Sequence, residues 1–508
     1  MQTSFKDVFV KDILKNKTLM ISAVIITILG FGFTITNFSI GVDDPASHHY
    51  LYTDGWGSMI QQGRLLHVVF NKLTGALTFI PFLNDFIGAA LFMLSALIFC
   101  GLFQYVTEGR MTNIQLIIFA GIYLSYSIVS EKFIYNLDTI VTMLSYVAVA
   151  YSLVAAYRFV YLNSKKSFVP AVLSLIVGLG AYESFIFLYI SGVFAIFILK
   201  NVVCEEKLKF KDTLLKGIWF ALILIIAVVI YYAMVYIVQY LTDQRGNFER
   251  NSIWNEEIGL RKKYERIKKN FRETMLETSY FPMIEFVSFS AIGAALSLYF
   301  AVRRKSIIQP LCFIAMFLCN FGIHIAIGYI MFRACQTLCF FIGFVALLFA
   351  VSLKNLKPAK IALPVAACWL IFVQLANLNL SFYNDYSRYK KEEFAINSIA
   401  QRLVAECDVE KPVVFTNRPA GGYLESQSAG EQTIGDSMVY WGVTAFGDLR
   451  SPTMLEIFRL HGYDFLKEPS VEQAERAQKL SKGMAAWPAK DSIEEYEDII
   501  IVNFKEVF

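Results

Sequence analysis

Eleven apolar stretches, near residues 19–38, 82–104, 113–130, 137–159, 168–182, 184–203, 214–240, 283–302, 306–328, 331–352 and 360–380, each run most of the length of a bilayer crossing. A crossing helix needs about 20 such residues, because each adds about 1.5 Å across a hydrocarbon core about 30 Å thick. Only 17% of the residues are charged and 56% are hydrophobic. A soluble domain carries about 25% charge. The expected fold class is an α-helical polytopic membrane protein with about 11 transmembrane helices. A net charge of +4 gives no ground for a nucleic-acid partner. The lipid bilayer is the partner that composition implies.

Basic residues set the expected orientation. Lys6, Lys11, Lys15 and Lys17 precede the first stretch, which places the N-terminus in the cytoplasm. The inner loops then carry Arg110; Arg158, Lys165 and Lys166; Lys200, Lys207, Lys209 and Lys211; Arg303, Arg304 and Lys305; and Lys354, Lys357 and Lys360. One missed helix would invert half of this pattern. With eleven crossings the C-terminus lies outside. The run 168–203 reads as two short helices broken at Ala181, Tyr182, Glu183 and Ser184. An unbroken span would bury Glu183 unpaired, which is costly. The first stretch is too long for a cleavable signal and lacks a small-residue cleavage site. Most of the eight cysteines lie in apolar runs, with Cys204 and Cys407 isolated in polar ones. No spacing suggests zinc or a disulfide framework, and no cofactor is expected.

Two domains are expected. Residues 1–381 hold the membrane part, with outer loops at 39–81 and 242–281, and residues 382–508 form a small α/β domain outside. In the first loop, Leu65, Val68, Val69 and Leu73 recur at near-helical spacing and predict an amphipathic helix on the membrane surface. The second loop contains RKKYERIKKNFRETM, a charged helix candidate. In the tail, PVVFTN (412–417) and DIIIVNF (498–504) read as buried strands, and 394–407 and 469–484 read as helices. Ser470 with Gln473 predicts an N-cap for the second of these.

The outer face collects ionisable groups. GVDDPASHHY places Asp43 and Asp44 at the edge of the first crossing. Two adjacent acids at a low-dielectric boundary resist ionisation together. A turn at Pro45 accounts for them structurally, and an acid–base role accounts for them functionally. In SEKFIYNLD, Glu131, Tyr135 and Asp138 fall at i, i+4 and i+7, which predicts both acids and the phenol on one helix face. Arg64 and Arg333 suit an anion, because guanidinium presents a planar fork to phosphate oxygens. Trp56 and Tyr52 could stack on a sugar, Asp54 fits a turn, and Glu183 sits in the break. His67 and His324 are isolated, and His48 and His49 have no assigned role. No motif supplies ligands for a divalent cation.

VDDPASHHYLYTDGWGSMIQQGRLL resembles the first external loop of bacterial membrane glucosyltransferases of the type II, O-antigen-modifying kind, with an acidic pair, then Trp, then Gly-Arg. SEKFIYNLDTIVTMLSYVAVA resembles that family's Glu, Tyr and Asp at the top of a later helix. LNLSFYNDYSRYKKEEFAINSIAQRL and WPAKDSIEEYEDIIIVNF resemble its last-span junction and its C-terminal end. The resemblance implies a GT-C-like fold. It implies transfer of a sugar, glucose by preference, from a polyprenyl-phosphate donor to a cell-surface glycan. Asp43 or Asp44 is then the base, Arg64 and Arg333 hold the donor phosphate, and Glu131, Tyr135, Asp138, Trp56 and Glu183 position sugar or acceptor. A transporter or flippase for lipid-linked sugars is the competing expectation. Transporters place their sites near the midplane between repeated halves, whereas these acids gather at one face and no repeat is visible.

Overall fold

A computed structural model describes residues 4–37, 39–46, 48, 56–74, 80–207, 209–244, 252–276, 281–328, 332–419, 437–444 and 447–504. His49, Tyr52 and Asp54 lie outside the described residues.

Each of the eleven predicted stretches carries a helix, but the helices differ in length. Seven are long and apolar enough: Lys17–Thr36, Pro81–Val106, Asn136–Leu162, Phe185–Val202, Phe210–Leu241, Met283–Arg304 and Ala359–Glu406. An eighth forms if Asn113–Ser125 and Ser127–Phe133, bent by 43°, count as one. Length and apolarity among the described residues thus support seven or eight of the eleven expected crossings. Phe168–Leu179, Ile308–Cys319 and Leu338–Ser352 have 12, 12 and 15 residues, which reach about 18–23 Å. The first ends at the predicted break before Phe185, and the second stops at Asn320, ahead of the six-residue helix Gly322–Ile327.

Local chemistry starts and stops these elements. Pro81 opens its helix at a position where no N–H is needed. Thr112 and Gln115 form a reciprocal capping box for Asn113–Ser125. The predicted surface helix is present at Leu65–Thr74, with Leu65 and Val68 buried and Val69 and Leu73 exposed. The charged candidate in the second loop is the helix Leu260–Leu276. The membrane core is aromatic. Phe92, Phe99, Phe103, Phe119, Tyr123 and Phe340 stack or meet edge to face, a geometry their ring quadrupoles favour. Some buried polar atoms within it are paired, as in Ser95–Tyr123 and Tyr146–Gln336.

The last membrane helix runs unbroken from Ala359 to Glu406, 48 residues. The boundary expected at 381/382 falls inside it, and the helix expected at 394–407 is its continuation. Ion pairs at helical spacing support the polar stretch, among them Arg388–Asp385 and Lys390–Glu393. Its far half packs Ile396, Ile399 and Leu403 against Val413, Phe415, Ile500 and Val502. The sheet there has three strands, β1 (Val413–Thr416), β2 (Ile493–Glu495) and β3 (Ile500–Asn503), in the order β1-β3-β2. β1 pairs parallel to β3, with Val413 opposite Ile500, and β2 pairs antiparallel. Ser470 and Gln473 form the predicted capping box at the start of Val471–Leu480.

Candidate active site

The two neighbouring acids have different environments. Asp44 is buried, and its carboxylate is occupied by backbone. Oδ2 accepts from Gly41 N at 2.9 Å and Asn136 N at 3.3 Å, and Oδ1 accepts from Leu137 N at 3.3 Å. Asn136 and Leu137 open the helix Asn136–Leu162, whose first N–H groups have no partner within the helix. Asp44 caps that helix from 92 residues away. Burial pushes its pKa up to about 8, against the pull of the three amides. The tight approach needs glycine at 41, where a Cβ would stand 2.5 Å from the Ile134 carbonyl oxygen. Asp43 faces outward. Its side chain is 54% exposed and its Oδ2 lies 2.8 Å from Arg333 Nη1.

This cap changes the predicted geometry of SEKFIYNLD. The helix Ser130–Phe133 ends before Tyr135, which is non-helical (φ −87°, ψ 81°), and a new helix begins at Asn136. Glu131, Tyr135 and Asp138 therefore do not share one continuous helix face. A capped N-terminus at Asn136 requires the chain to turn there. Glu131 lies beside Lys132 and Cys335, whereas Tyr135 forms a floor under Arg333, its ring centroid 4.4 Å from the guanidinium carbon.

Asp138 is the hub of a second cluster. Arg64 Nη1 is 3.5 Å from its Oδ2, Tyr182 Oη donates to the same oxygen at 3.1 Å, and His67 Nδ1 is 3.3 Å from Oδ1. Arg64 stacks on the Tyr182 ring at 4.5 Å. Bonds to main-chain carbonyls bring these pieces together: Leu66 N donates to Gly180 O at 3.0 Å, and the Tyr231 hydroxyl donates to Gly63 O at 2.5 Å. The break predicted at Ala181–Ser184 is thus docked against the start of the surface helix. Burial holds the His67 pKa down at about 4, so its ring is neutral near pH 7. Burial raises the Glu183 carboxyl, with Arg64 opposing the shift. Arg333 in turn opposes the charge on Arg64 and acts on Tyr182. Two guanidinium groups, each stacked on a tyrosine, therefore share one neighbourhood with Asp43 and Asp138.

Trp56 is 7% exposed and packs with Met59, Ile60 and Val68 under the surface helix. It serves the apolar cluster rather than presenting a face for stacking. His48, which the sequence left without a role, has Nδ1 2.6 Å from Glu456 Oε1 in the C-terminal domain. Tyr182 was not singled out from sequence. Its signal was its place in the break next to Glu183.

Beside the surface helix lies a cavity of about 250 Å³ lined by Phe70, Leu83, Asn84, Ile87, Leu137 and Ile140. It is mostly apolar. It adjoins the polar cluster, since Leu137 also holds Asp44 and precedes Asp138. Among the described residues no three His, Cys, Asp or Glu side chains converge as metal ligands. The arrangement can hold an anion on two guanidiniums, present a solvent-facing carboxylate beside it and accommodate an apolar chain.

A family model described as Glucosyl transferase GtrII matches residues 32–350, more than half of the 508-residue chain and a range that includes every residue of both clusters. No curated protein and no solved structure matches the chain.

Proposed function

Because the chain belongs to the GtrII glucosyl transferase family, we propose that it moves glucose from a polyprenyl-phosphate donor to a cell-surface glycan, by direct displacement with inversion, at the outer face of a bacterial cytoplasmic membrane. Asp43 is the base in this reading. It takes the proton of the acceptor hydroxyl as the acceptor oxygen bonds to the anomeric carbon. The bond from that carbon to the phosphate oxygen breaks, and polyprenyl phosphate departs on Arg64 and Arg333. Asp138 and Tyr182 orient Arg64, and Glu183 and Tyr135 complete the sugar-facing wall. Asp44 holds the loop rather than taking the acceptor's proton, because its hydrogen bonds among the described residues are with backbone N–H groups. The apolar cavity takes the first part of the prenyl chain.

The observation that supports this most is the Asp43–Arg333 pair. An exposed ion pair contributes only about 0–1 kcal/mol to stability, so the fold does not need it. A phosphate can replace Asp43 on Arg333, and that exchange frees the carboxylate beside the anomeric carbon. Transport is disfavoured because Asp43, Asp138, Glu183 and Arg333 lie at helix ends and in breaks, not along the middle of a crossing.

The test is to incubate the purified protein with glucosyl polyprenyl phosphate and an acceptor glycan. Release of polyprenyl phosphate together with glucosylated acceptor is expected, with no turnover of a nucleotide-activated glucose. Turnover of the nucleotide sugar alone would overturn the donor assignment.

A further inference from the structure

One guanidinium outside both clusters ties three separate parts of the chain together. Arg388 lies on the long helix and is fully buried. Its Nε and Nη2 donate to Asp385 Oδ1 at 3.1 and 2.9 Å, and its Nη1 pairs with Glu392. Nη2 also donates to the Ile40 carbonyl oxygen at 3.0 Å, three residues before Asp43. Each acid partner passes the link on. Asp385 accepts from Ser39, also in the first loop. Glu392 Oε1 accepts from Ser437 Oγ at 2.5 Å and Val439 N at 3.3 Å, at the start of the helix Met438–Thr444 in the C-terminal domain. Ile40 completes the join by packing into that domain's core, and the His48–Glu456 contact ties down the far end of the same loop segment.

A buried ion pair adds little net stability, because desolvation offsets its attraction. A triad at Asp385, Arg388 and Glu392 is better explained by what it holds in register. We infer that Arg388 is a positioning residue, which together with Glu392 makes placement of the first-loop acids depend on docking of the C-terminal domain. The inference rests on the reading of Asp43 as base. Lysine cannot replace Arg388, since an ammonium cannot span Asp385, Glu392 and Ile40 with a planar fork.

The experiment uses the full chain in lipid nanodiscs with three variants, Arg388→Lys, Glu392→Gln and Ser437→Ala. Two quantities are measured. The first is transfer from glucosyl polyprenyl phosphate, as kcat and donor KM. The second is hydrogen exchange of the backbone in residues 39–48, which needs no activity. A misplacement of about 1 Å remote from the chemistry can cost about 10²-fold in rate. Arg388→Lys is therefore expected to lower kcat by about tenfold or more with donor KM changed by less than about threefold. Ser437→Ala, which removes only one of the links between Glu392 and the domain, should lower kcat less, and all three should speed exchange in 39–48. A general packing defect would instead speed exchange throughout the C-terminal domain as much as in that loop. Unchanged exchange in 39–48 in Ser437→Ala and Glu392→Gln overturns the inference, as does unchanged kcat in Arg388→Lys. If wild-type protein releases no polyprenyl phosphate, the donor reading fails, and loop exchange alone decides the coupling.

Discussion

Exchanging each first-loop acid for its amide separates chemistry from architecture. Asp43→Asn removes a half-exposed charge whose partner is Arg333, so it should change folding stability by no more than about 1 kcal/mol. A general base contributes about 10²–10⁴-fold to rate, and kcat should fall by that much. Asp44→Asn has the opposite profile. Both of its oxygens accept from backbone N–H groups, and an amide nitrogen accepts no hydrogen bond, unlike a hydroxyl or carboxylate oxygen. If the nitrogen takes the Oδ1 place, Leu137 N loses its acceptor. If it takes the Oδ2 place, Gly41 N and Asn136 N lose theirs. An orphaned buried donor costs about 1–3 kcal/mol, so Asp44→Asn should lose at least that much stability. The assays are thermal unfolding in detergent at pH 6 and release of polyprenyl phosphate from glucosyl polyprenyl phosphate. Asp43→Asn with more than about a hundredth of wild-type kcat would refute the base assignment, which needs the 10²-fold minimum. Asp44→Asn as stable as wild type would refute the capping role.

Other outcomes follow from the same geometry. The Asp44 carboxyl has its pKa raised from 3.8 to about 8, so between these values the folded state keeps a proton that the unfolded chain has lost. Its contribution to stability is therefore largest below about pH 4, falls as pH rises to about 8 and is level above that, by at most about 1.4 kcal/mol per pH unit. Asn at 44 does not titrate, so the melting-temperature gap between wild type and Asp44→Asn should narrow from pH 5 to pH 8; a widening gap contradicts this. Arg333→Ala and Arg64→Ala should each raise donor KM, by about tenfold or more if a charge-assisted bond of about 1.5–3 kcal/mol is lost, and an unchanged donor KM removes the phosphate role. Ile87→Trp overfills the apolar cavity, and about 1–3 kcal/mol of overpacking should appear as a higher KM for long-chain donors but not for a donor with a truncated prenyl chain.

Some of this was legible in the sequence and some was not, for identifiable reasons. Apolar length placed a helix in each expected stretch, but it did not show that Ile308–Cys319 has only 12 residues and stops at Asn320. Arg64, Arg333, Asp43 and Asp138 could be nominated because acids and arginines are expensive near a bilayer. Their pairing could not, since Asp43 and Arg333 are 290 residues apart. The helical spacing of Glu131, Tyr135 and Asp138 misled because a distant carboxylate, Asp44, starts a fresh helix at Asn136. Trp56 was assigned by residue type, and only packing shows that its face is covered. The Asp385–Arg388–Glu392 triad stood in plain i, i+3, i+7 spacing. Without knowing that the helix continues past residue 381, nothing marked those charges as buried.

That continuity has a mechanical consequence. Beyond Pro364 the helix Ala359–Glu406 has no break before it ends, and its 48 residues span about 72 Å. A single helix shared by two cores acts as a strut without a joint. On the proposed reading, a domain held by such a strut is not expected to swing out to collect an acceptor and deliver it. In that reading the acceptor reaches the acids by diffusion, and the fixed strut sets the clearance through which it enters.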